Sequence, residues 1–164
     1  MSILKLQTNL VEKIKDFRNS VYPILKKTLE GSLSIRNINQ SLARVLSIDD
    51  NKICQKINLS HLQKLGCYVD CVHSARAALE KLVLSYKVIF LDVNLPDCST
   101  ELLIDLIRSD EGNVNQTAPI ILTSSWLTDA SKKNYLTLGV NEVYIKPIKE
   151  KDFKRILINY GIIT

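Results

Sequence analysis

The chain has 164 residues, 46% of them hydrophobic and 24% charged, which is typical of a globular protein with one domain and an extension. Its net charge of +5 is concentrated in residues 1–40, where seven Lys and Arg stand against three Asp and Glu without the clustered runs of a nucleic-acid-binding arm. No segment has the length and hydrophobicity of a membrane span or a signal peptide, so we expect a cytoplasmic protein with neither a nucleic-acid nor a membrane partner.

The first predicted element is an amphipathic helix near the N-terminus. Apolar residues recur there at steps of three and four, which places them on one helix face. They are Ile3, Leu6, Leu10, Ile14, Phe17, Val21 and Leu25. Pro23 should kink or split this helix, Gly31 should stop it, and the polar stretch 31–43 is typical of a linker. We expect residues 1–40 to form a helical extension with its linker, and residues 3–30 to mediate a homodimer or to dock on the domain that follows.

From residue 43 onwards, short apolar runs alternate with helical patterns. The predicted strands cover residues 44–48, 67–71, 87–91, 119–124 and 142–145. The predicted helices cover about residues 51–65, 74–84, 100–109, 128–138 and 149–160. Five strands alternating with five helices predict an α/β fold with a five-stranded, doubly wound parallel sheet.

Polar residues end four of the five predicted strands. They are Asp49 and Asp50 after the first strand, Asp92 after the third, Ser124 at the end of the fourth and Lys146 after the fifth. Because ligands of a doubly wound sheet bind outside the carboxyl ends of its strands, we expect these side chains to converge. Clustered carboxylates favour a hard divalent cation such as Mg2+, a lysine can hold a phosphoryl oxygen, and one carboxylate can attack phosphorus to form an acyl phosphate. The pattern therefore predicts phosphoryl chemistry.

Four motifs at these strand ends resemble the receiver domain of bacterial response regulators. The matching stretches, in chain order, are SIDDNK, IFLDVNLP, PIILTSS and VYIKPI, and the resemblance covers about residues 43–160. It implies a flavodoxin-like fold in which Asp92 is the phosphoacceptor. It also implies that Asp49, Asp50 and Asp92 bind Mg2+ together with the main-chain carbonyl of Asn94.

The same resemblance assigns roles to the two other strand ends. Ser124 is expected to supply the hydroxyl that closes on the phosphoryl group. Lys146 is expected to form an ion pair with the same phosphoryl group. The Lys146–Pro147 peptide is expected to be cis, an isomer that an X-Pro bond tolerates. Such a domain is phosphorylated stoichiometrically, so we do not expect an enzyme with multiple turnovers.

A finer resemblance indicates the subtype of receiver. The stretch DDNKICQKINLSHLQKLGCYVD is similar to receivers attached to hybrid histidine kinases, which usually exchange phosphoryl groups with a histidine phosphotransfer domain. The resemblance therefore implies a histidine kinase or a histidine phosphotransfer protein as partner. The two histidines of the chain, His61 and His73, both lie in the receiver and are expected at the surface or in packing contacts, so the donor must be another protein.

Three positions depart from the usual receiver pattern. Ser99-Thr100 stand where receivers carry Asp-Gly, so we expect a rearranged start of the third helix if the backbone there needs a positive φ. Val143 stands where an aromatic switch residue is usual, with Tyr144 displaced by one position. Trp126 is expected to overhang the site and to slow access by water or a phosphatase.

Three alternatives stay open from the sequence. An isolated aspartate at a strand end is usually a turn or helix cap, and Asp49 could cap the helix that begins near Asn51. The departures at Ser99-Thr100 and Val143 motivate a second hypothesis, a receiver fold retained as a phosphorylation-independent interaction or dimerisation module. A HAD-type phosphatase also uses an aspartate nucleophile, but that family usually has a second aspartate where this chain has Asn94.

Overall fold

The computed structural model describes residues 42–109 and 112–164 of the chain, together with the single residues Glu12 and Ser20. Apart from Glu12 and Ser20, the predicted amphipathic helix over residues 3–25 lies outside these residues, and so do its kink at Pro23, its apolar face and most of the linker. The boundary between a helical extension (1–40) and a receiver (43–160) stays a prediction. The elements below all belong to the unit Leu42–Thr164.

Five strands form one parallel sheet. They are β1 (Ala43–Ile48), β2 (Cys67–Val72), β3 (Val88–Asp92), β4 (Ile120–Ser124) and β5 (Glu142–Ile145). Their order across the sheet is β2-β1-β3-β4-β5, with every neighbouring pair parallel. Both β3 and β4 are buried along their whole length, as expected for continuous apolar runs in a sheet covered on two faces. The predicted fold class is confirmed, and each strand lies within one residue of its predicted bounds.

Five helices follow the five strands. They are α1 (Lys52–Lys64), α2 (Ala75–Lys81), α3 (Thr100–Ser109), α4 (Asp129–Thr137) and α5 (Glu150–Asn159). The side chains of Asn51, Ser74 and Thr128 cap α1, α2 and α4 by accepting hydrogen bonds from first-turn N–H groups. The cap of α1 is therefore Asn51 and not Asp49. None of the helices among the described residues is long and apolar enough to cross a membrane.

Apolar side chains of the central strands alternate between two hydrophobic clusters. On β3, Ile89 and Leu91 pack in the cluster that contains α2, α3 and α4, whereas Val88 and Phe90 pack in the cluster that contains α1 and α5. The ring of Phe90 lies 5.1 Å from that of Phe153 on α5. Since successive strand residues point to opposite faces, both faces of β3 are committed to the core.

Helix α2 ends three residues before its predicted bound near Leu84, because a side chain from another loop binds the main chain that follows Lys81. The buried Asn115 amide donates hydrogen bonds of 2.8 Å to the carbonyl oxygens of both Leu82 and Leu84. Its oxygen accepts a bond of 2.7 Å from the N–H of Tyr86. These contacts satisfy main-chain groups that further helical turns would otherwise satisfy.

Candidate functional site

The predicted site residues lie at one edge of the sheet. Asp49 follows β1, Asp92 ends β3, Ser124 ends β4 and Lys146 follows β5. The strand order changes direction between β1 and β3, so Asp49 and Asp92 flank the switch point at which doubly wound sheets bind ligands. The sheet therefore brings together side chains that are up to 97 positions apart in the sequence.

The acidic loop after β1 is held by its main chain. The N–H of Asp49 donates to the carbonyl of Val72 at 3.0 Å, and its carboxylate accepts a bond of 2.9 Å from the N–H of Asn51. The side-chain amide of Gln55, on α1, donates to the carbonyls of both Asp49 and Val72. Gln55 thus ties α1 to this loop, which leaves Asp49 buried and Asp50 exposed.

Three carboxylates meet at the strand ends. One oxygen each of Asp49, Asp50 and Asp92 lies within 4.8 Å of the other two. Oxygen donors so close together suit Mg2+, which prefers carboxylate ligands, so the residues present fit the metal. Asn94 lies on the loop after β3, and its main chain lowers the pKa of the Asp92 carboxyl group.

Lys146 supplies a positive charge to two of these carboxylates. Its Nζ lies 2.7 Å from Asp49 Oδ2 and 2.8 Å from Asp92 Oδ2. Its main-chain N–H donates to the carbonyl of Ser124 at 2.8 Å, and the predicted cis Lys146–Pro147 peptide is confirmed. The hydrogen bond to Ser124 joins the residue after β5 to the end of β4.

Burial and charge act in opposite directions on these groups. Burial raises the pKa of Asp92, which the hydrogen bond and charge of Lys146 lower only in part, and the charge of Asp49 adds to the rise. Burial alone would lower the pKa of Lys146, but the hydrogen bonds and charges of the two carboxylates outweigh it and the pKa is raised. The lysine is therefore an ammonium at neutral pH, and its charge only partly offsets the effect of burial on the pKa of Asp92.

The Ser124 hydroxyl is bonded to the loop that follows β4. It donates to the carbonyl of Trp126 at 2.8 Å and accepts from the N–H of Trp126 at 3.3 Å. Ser124 itself is 2% exposed, whereas the Trp126 side chain is 75% exposed. The loop main chain and the strand-end hydroxyl are thus coupled, and the expected effect of Trp126 on access by water stays a prediction.

The Ser99-Thr100 departure does not rearrange the third helix. It begins at Thr100 as the sequence predicts, and no residue other than glycine has a positive φ among those the structure describes. The Ser99 hydroxyl accepts from the N–H of Leu102 at 3.3 Å and caps the helix. The Thr100 hydroxyl turns the other way, to the carbonyls of Asp92 and Val93. A rearranged start was expected only if this turn needed a positive φ, and none of its residues has one.

Val143 and Tyr144 lie on opposite faces of β5. Val143 packs against the cluster that contains α3 and α4, and Tyr144 against the cluster that contains α1 and α5. The Tyr144 hydroxyl donates to Glu142 at 2.8 Å and accepts from Arg155 at 3.1 Å. A shift of one residue in a strand reverses the direction of the side chain, so Tyr144 does not replace an aromatic residue at position 143.

Neither histidine lies in the site. His61 contacts Glu150 at 3.1 Å and packs 5.8 Å from the ring of Phe153, which fixes α1 against α5. His73 is exposed in the turn between β2 and α2. Both agree with the expected surface or packing roles.

The site places three carboxylates next to one ammonium group at the carboxyl edge of the sheet. Together with the strand order, this acidic pocket defines a protein of the flavodoxin-like class. The family model of the response regulator receiver domain matches residues 45–158, and the chain belongs to that family. It is a receiver domain of the two-component and phosphorelay type.

Two kinases are among the curated relatives. Hybrid signal transduction histidine kinase L of Dictyostelium discoideum is 34% identical over 125 residues, and the osmosensing histidine protein kinase SLN1 of Saccharomyces cerevisiae is 28% identical over 129 residues. The matches cover 73% and 74% of this chain but only 7% and 10% of the two kinases. The chain thus corresponds to a small part of each relative.

Solved structures show the same fold. The receiver domain of a sensor histidine kinase from Pseudomonas aeruginosa, with a magnesium ion in its active-site cleft, is 26% identical with a TM-score of 0.66. That match covers 73% of this chain and 97% of the other. The chemotaxis response regulator CheY4 of Vibrio cholerae is 22% identical with a TM-score of 0.66, over 73% of this chain and 98% of the other.

Proposed function

We propose that the chain is a phosphoacceptor receiver, in which Asp92 takes a phosphoryl group from a phosphohistidine on a separate histidine kinase or histidine phosphotransfer protein, with Mg2+ as cofactor. The observation that carries the proposal is the convergence of Asp49, Asp50 and Asp92 to within 4.8 Å. Carboxylates this close repel one another and need a cation nearby. In the folded chain Lys146 supplies part of that charge, and these three residues with the Asn94 carbonyl would hold the metal.

The transfer is an in-line attack by Asp92 on phosphorus. A carboxylate oxygen forms the new bond to phosphorus while the bond from phosphorus to the donor imidazole breaks. The imidazole nitrogen keeps the bonding electron pair and is protonated from solvent. When bound, Mg2+ neutralises charge on the phosphoryl oxygens. The product is an acyl phosphate stored on the protein, so we do not propose an enzyme with multiple turnovers.

Lys146 is proposed to serve the site before and after transfer. Its ammonium lies within 2.8 Å of both Asp49 and Asp92, which holds the two carboxylates in place. Once Asp92 is an acyl phosphate, its carboxyl group has lost the negative charge, and the new charge sits on the phosphoryl oxygens. The ammonium then binds a phosphoryl oxygen as a point charge.

Ser124 is proposed to exchange one hydrogen bond for another when the phosphoryl group arrives. Its hydroxyl has a single proton, which is donated to the Trp126 carbonyl. A bond from this hydroxyl to a phosphoryl oxygen therefore replaces the bond to Trp126. The loop before α4 loses that contact, and its changed position is the signal that a protein partner reads.

A phosphorylation-independent interaction module is the second candidate, and the β5 strand favours it. Val143 provides no aromatic ring to move, and Tyr144 is held on the opposite face by Glu142 and Arg155. If this candidate is correct, a partner binds the wild type and Asp92→Asn equally well, with or without a phosphodonor.

A small phosphodonor tests the first candidate. The protein incubated with phosphoramidate and Mg2+ should gain a phosphate in intact-mass spectrometry, and Asp92→Asn should gain none. Asp105→Asn is the matched control, because it removes an exposed carboxylate of α3 and should leave the gain unchanged. No gain with any phosphodonor, or a gain that survives Asp92→Asn, would contradict the proposal.

A further inference from the structure

A buried hydroxyl on the first residue of α3 reaches the main chain beside Asp92. Thr100 is 1% exposed, and its Oγ1 lies 2.6 Å from the carbonyl oxygen of Val93 and 3.2 Å from that of Asp92. A hydroxyl has one proton to donate, and the shorter contact identifies Val93 as its main acceptor. The helix does not need this hydroxyl as a cap, because Ser99 already accepts from Leu102.

The Val93 carbonyl belongs to the same peptide group as the Asn94 N–H. An interaction with the Asn94 main chain lowers the pKa of Asp92, and Thr100 holds the oxygen of the same peptide at 2.6 Å. The preceding peptide is held at both ends, since the Val93 N–H donates to the carbonyl of Thr123 at 3.0 Å and the Asp92 carbonyl faces Thr100. Because a peptide group is planar, fixing its oxygen also fixes the direction of its N–H.

We propose that Thr100 is a positioning residue that orients the Asp92 carboxylate for phosphoryl acceptance through the Val93–Asn94 peptide. The inference rests on the proposed function of Asp92. The Thr100 hydroxyl bonds to main-chain carbonyls and not to the phosphodonor or the Asp92 carboxylate. It therefore acts on that carboxylate only through the main chain that connects the two residues. The glycine that receivers usually carry here has no hydroxyl, so the arrangement belongs to this chain's own sequence.

Paired substitutions at Thr100 separate the hydroxyl from the shape of the side chain. Thr100→Val removes the hydroxyl and keeps the shape, whereas Thr100→Ser keeps the hydroxyl. Thr100→Val should slow the phosphorylation of Asp92 by phosphoramidate at saturating Mg2+ about three- to tenfold, as for the loss of one neutral hydrogen bond, and Thr100→Ser should restore the rate. Thr137→Val is the matched control, because its exposed hydroxyl donates to the Asn134 carbonyl on α4. It should leave the rate unchanged.

A second measurement does not depend on phosphorylation. In the metal-free protein, the amide resonance of Asn94 should move in Thr100→Val and return towards its wild-type position in Thr100→Ser. Thr100→Ala gives the same comparison if Thr100→Val does not fold.

A wild-type rate in Thr100→Val, an unmoved Asn94 resonance, or an equal defect in Thr100→Ser would each overturn the inference. If the wild type accepts no phosphate but the Asn94 resonance still responds to Thr100→Val, the proposed function fails while the control of this peptide by Thr100 stands.

Discussion

Replacing Lys146 with methionine removes the ammonium from between two buried carboxylates. Asp49 is 1% and Asp92 4% exposed, and their oxygens lie 2.7 and 2.8 Å from Lys146 Nζ. Removing one partner of a buried ion pair costs about 3–5 kcal/mol of unfolding free energy, because it leaves uncompensated charge. The Lys146 side chain is 13% exposed and Asp50 beside it faces solvent, so we expect a loss at the lower end, about 3 kcal/mol.

The loss should depend on pH in the metal-free protein, because burial raises the pKa of Asp92 even with Lys146 present. A carboxyl group with a raised folded-state pKa favours folding below its unfolded pKa of about 4, and this contribution is lost as pH rises through the folded pKa. Lys146 opposes the rise, so its removal raises the pKa of Asp92 further. The deficit of Lys146→Met is therefore smaller at about pH 5 than at about pH 7.

Urea denaturation followed by far-UV circular dichroism, in buffer with a chelator, measures this loss. Lys64→Met is the matched control, because Lys64 is 63% exposed and pairs with the exposed Glu150 at 3.7 Å. Such a surface pair contributes at most about 1 kcal/mol. Equal losses of unfolding free energy in the two variants would contradict the role given to Lys146. The same holds for a deficit of Lys146→Met that grows on acidification.

Three further predictions follow from the site and the fold. Mg2+ at about ten times its Kd should raise the unfolding free energy of the wild type by about 1.4 kcal/mol, measured by thermal denaturation, and Asp49→Asn should abolish this gain. Equal gains in the two proteins would contradict the assignment of Asp49 as a metal ligand. The fluorescence of Trp126 should change on phosphorylation. Ser124→Ala should still accept phosphate but show a much smaller fluorescence change, because it has no hydroxyl that could leave the Trp126 carbonyl. A full fluorescence change in Ser124→Ala would contradict this coupling. Gly139→Ala should lower the unfolding free energy by about 1–3 kcal/mol in urea denaturation without reducing phosphorylation. The reason is that Gly139 has a φ of +97° and that a Cβ there would lie 3.1 Å from Arg108 Nε. An unfolding free energy equal to that of the wild type would contradict this prediction.

The strands and their polar ends could be predicted because both signals are local. A strand buried on two faces is a continuous apolar run, as in β3, and the first polar residue after it marks the edge of the sheet. The convergence of Asp49, Asp92 and Lys146 then follows from parallel strands alone, since their carboxyl ends meet at one edge.

The side-chain to main-chain hydrogen bonds that support the site and the helix ends could not be predicted. In each case the partner is distant in the sequence, or it depends on which main-chain groups the fold brings within reach. Asn115 ends α2 from a loop 33 positions beyond Leu82. Gln55 binds a carbonyl of β2 that only the fold brings near α1. The Thr100 hydroxyl turns to Val93 because Ser99 already caps the helix, and the side chains alone do not reveal which of the two serves as the cap.

Transfer of a phosphoryl group from a phosphohistidine is a direct measurement of whether Asp92 is a phosphoacceptor. A histidine phosphotransfer protein carrying radiolabelled phosphate would be mixed with the chain, and the label on each protein followed by gel electrophoresis. We expect label to move to the wild type and to Asp105→Asn in the presence of Mg2+, but not to Asp92→Asn and not in the presence of a chelator. Label that stays on every donor tried, or that reaches Asp92→Asn, would contradict it.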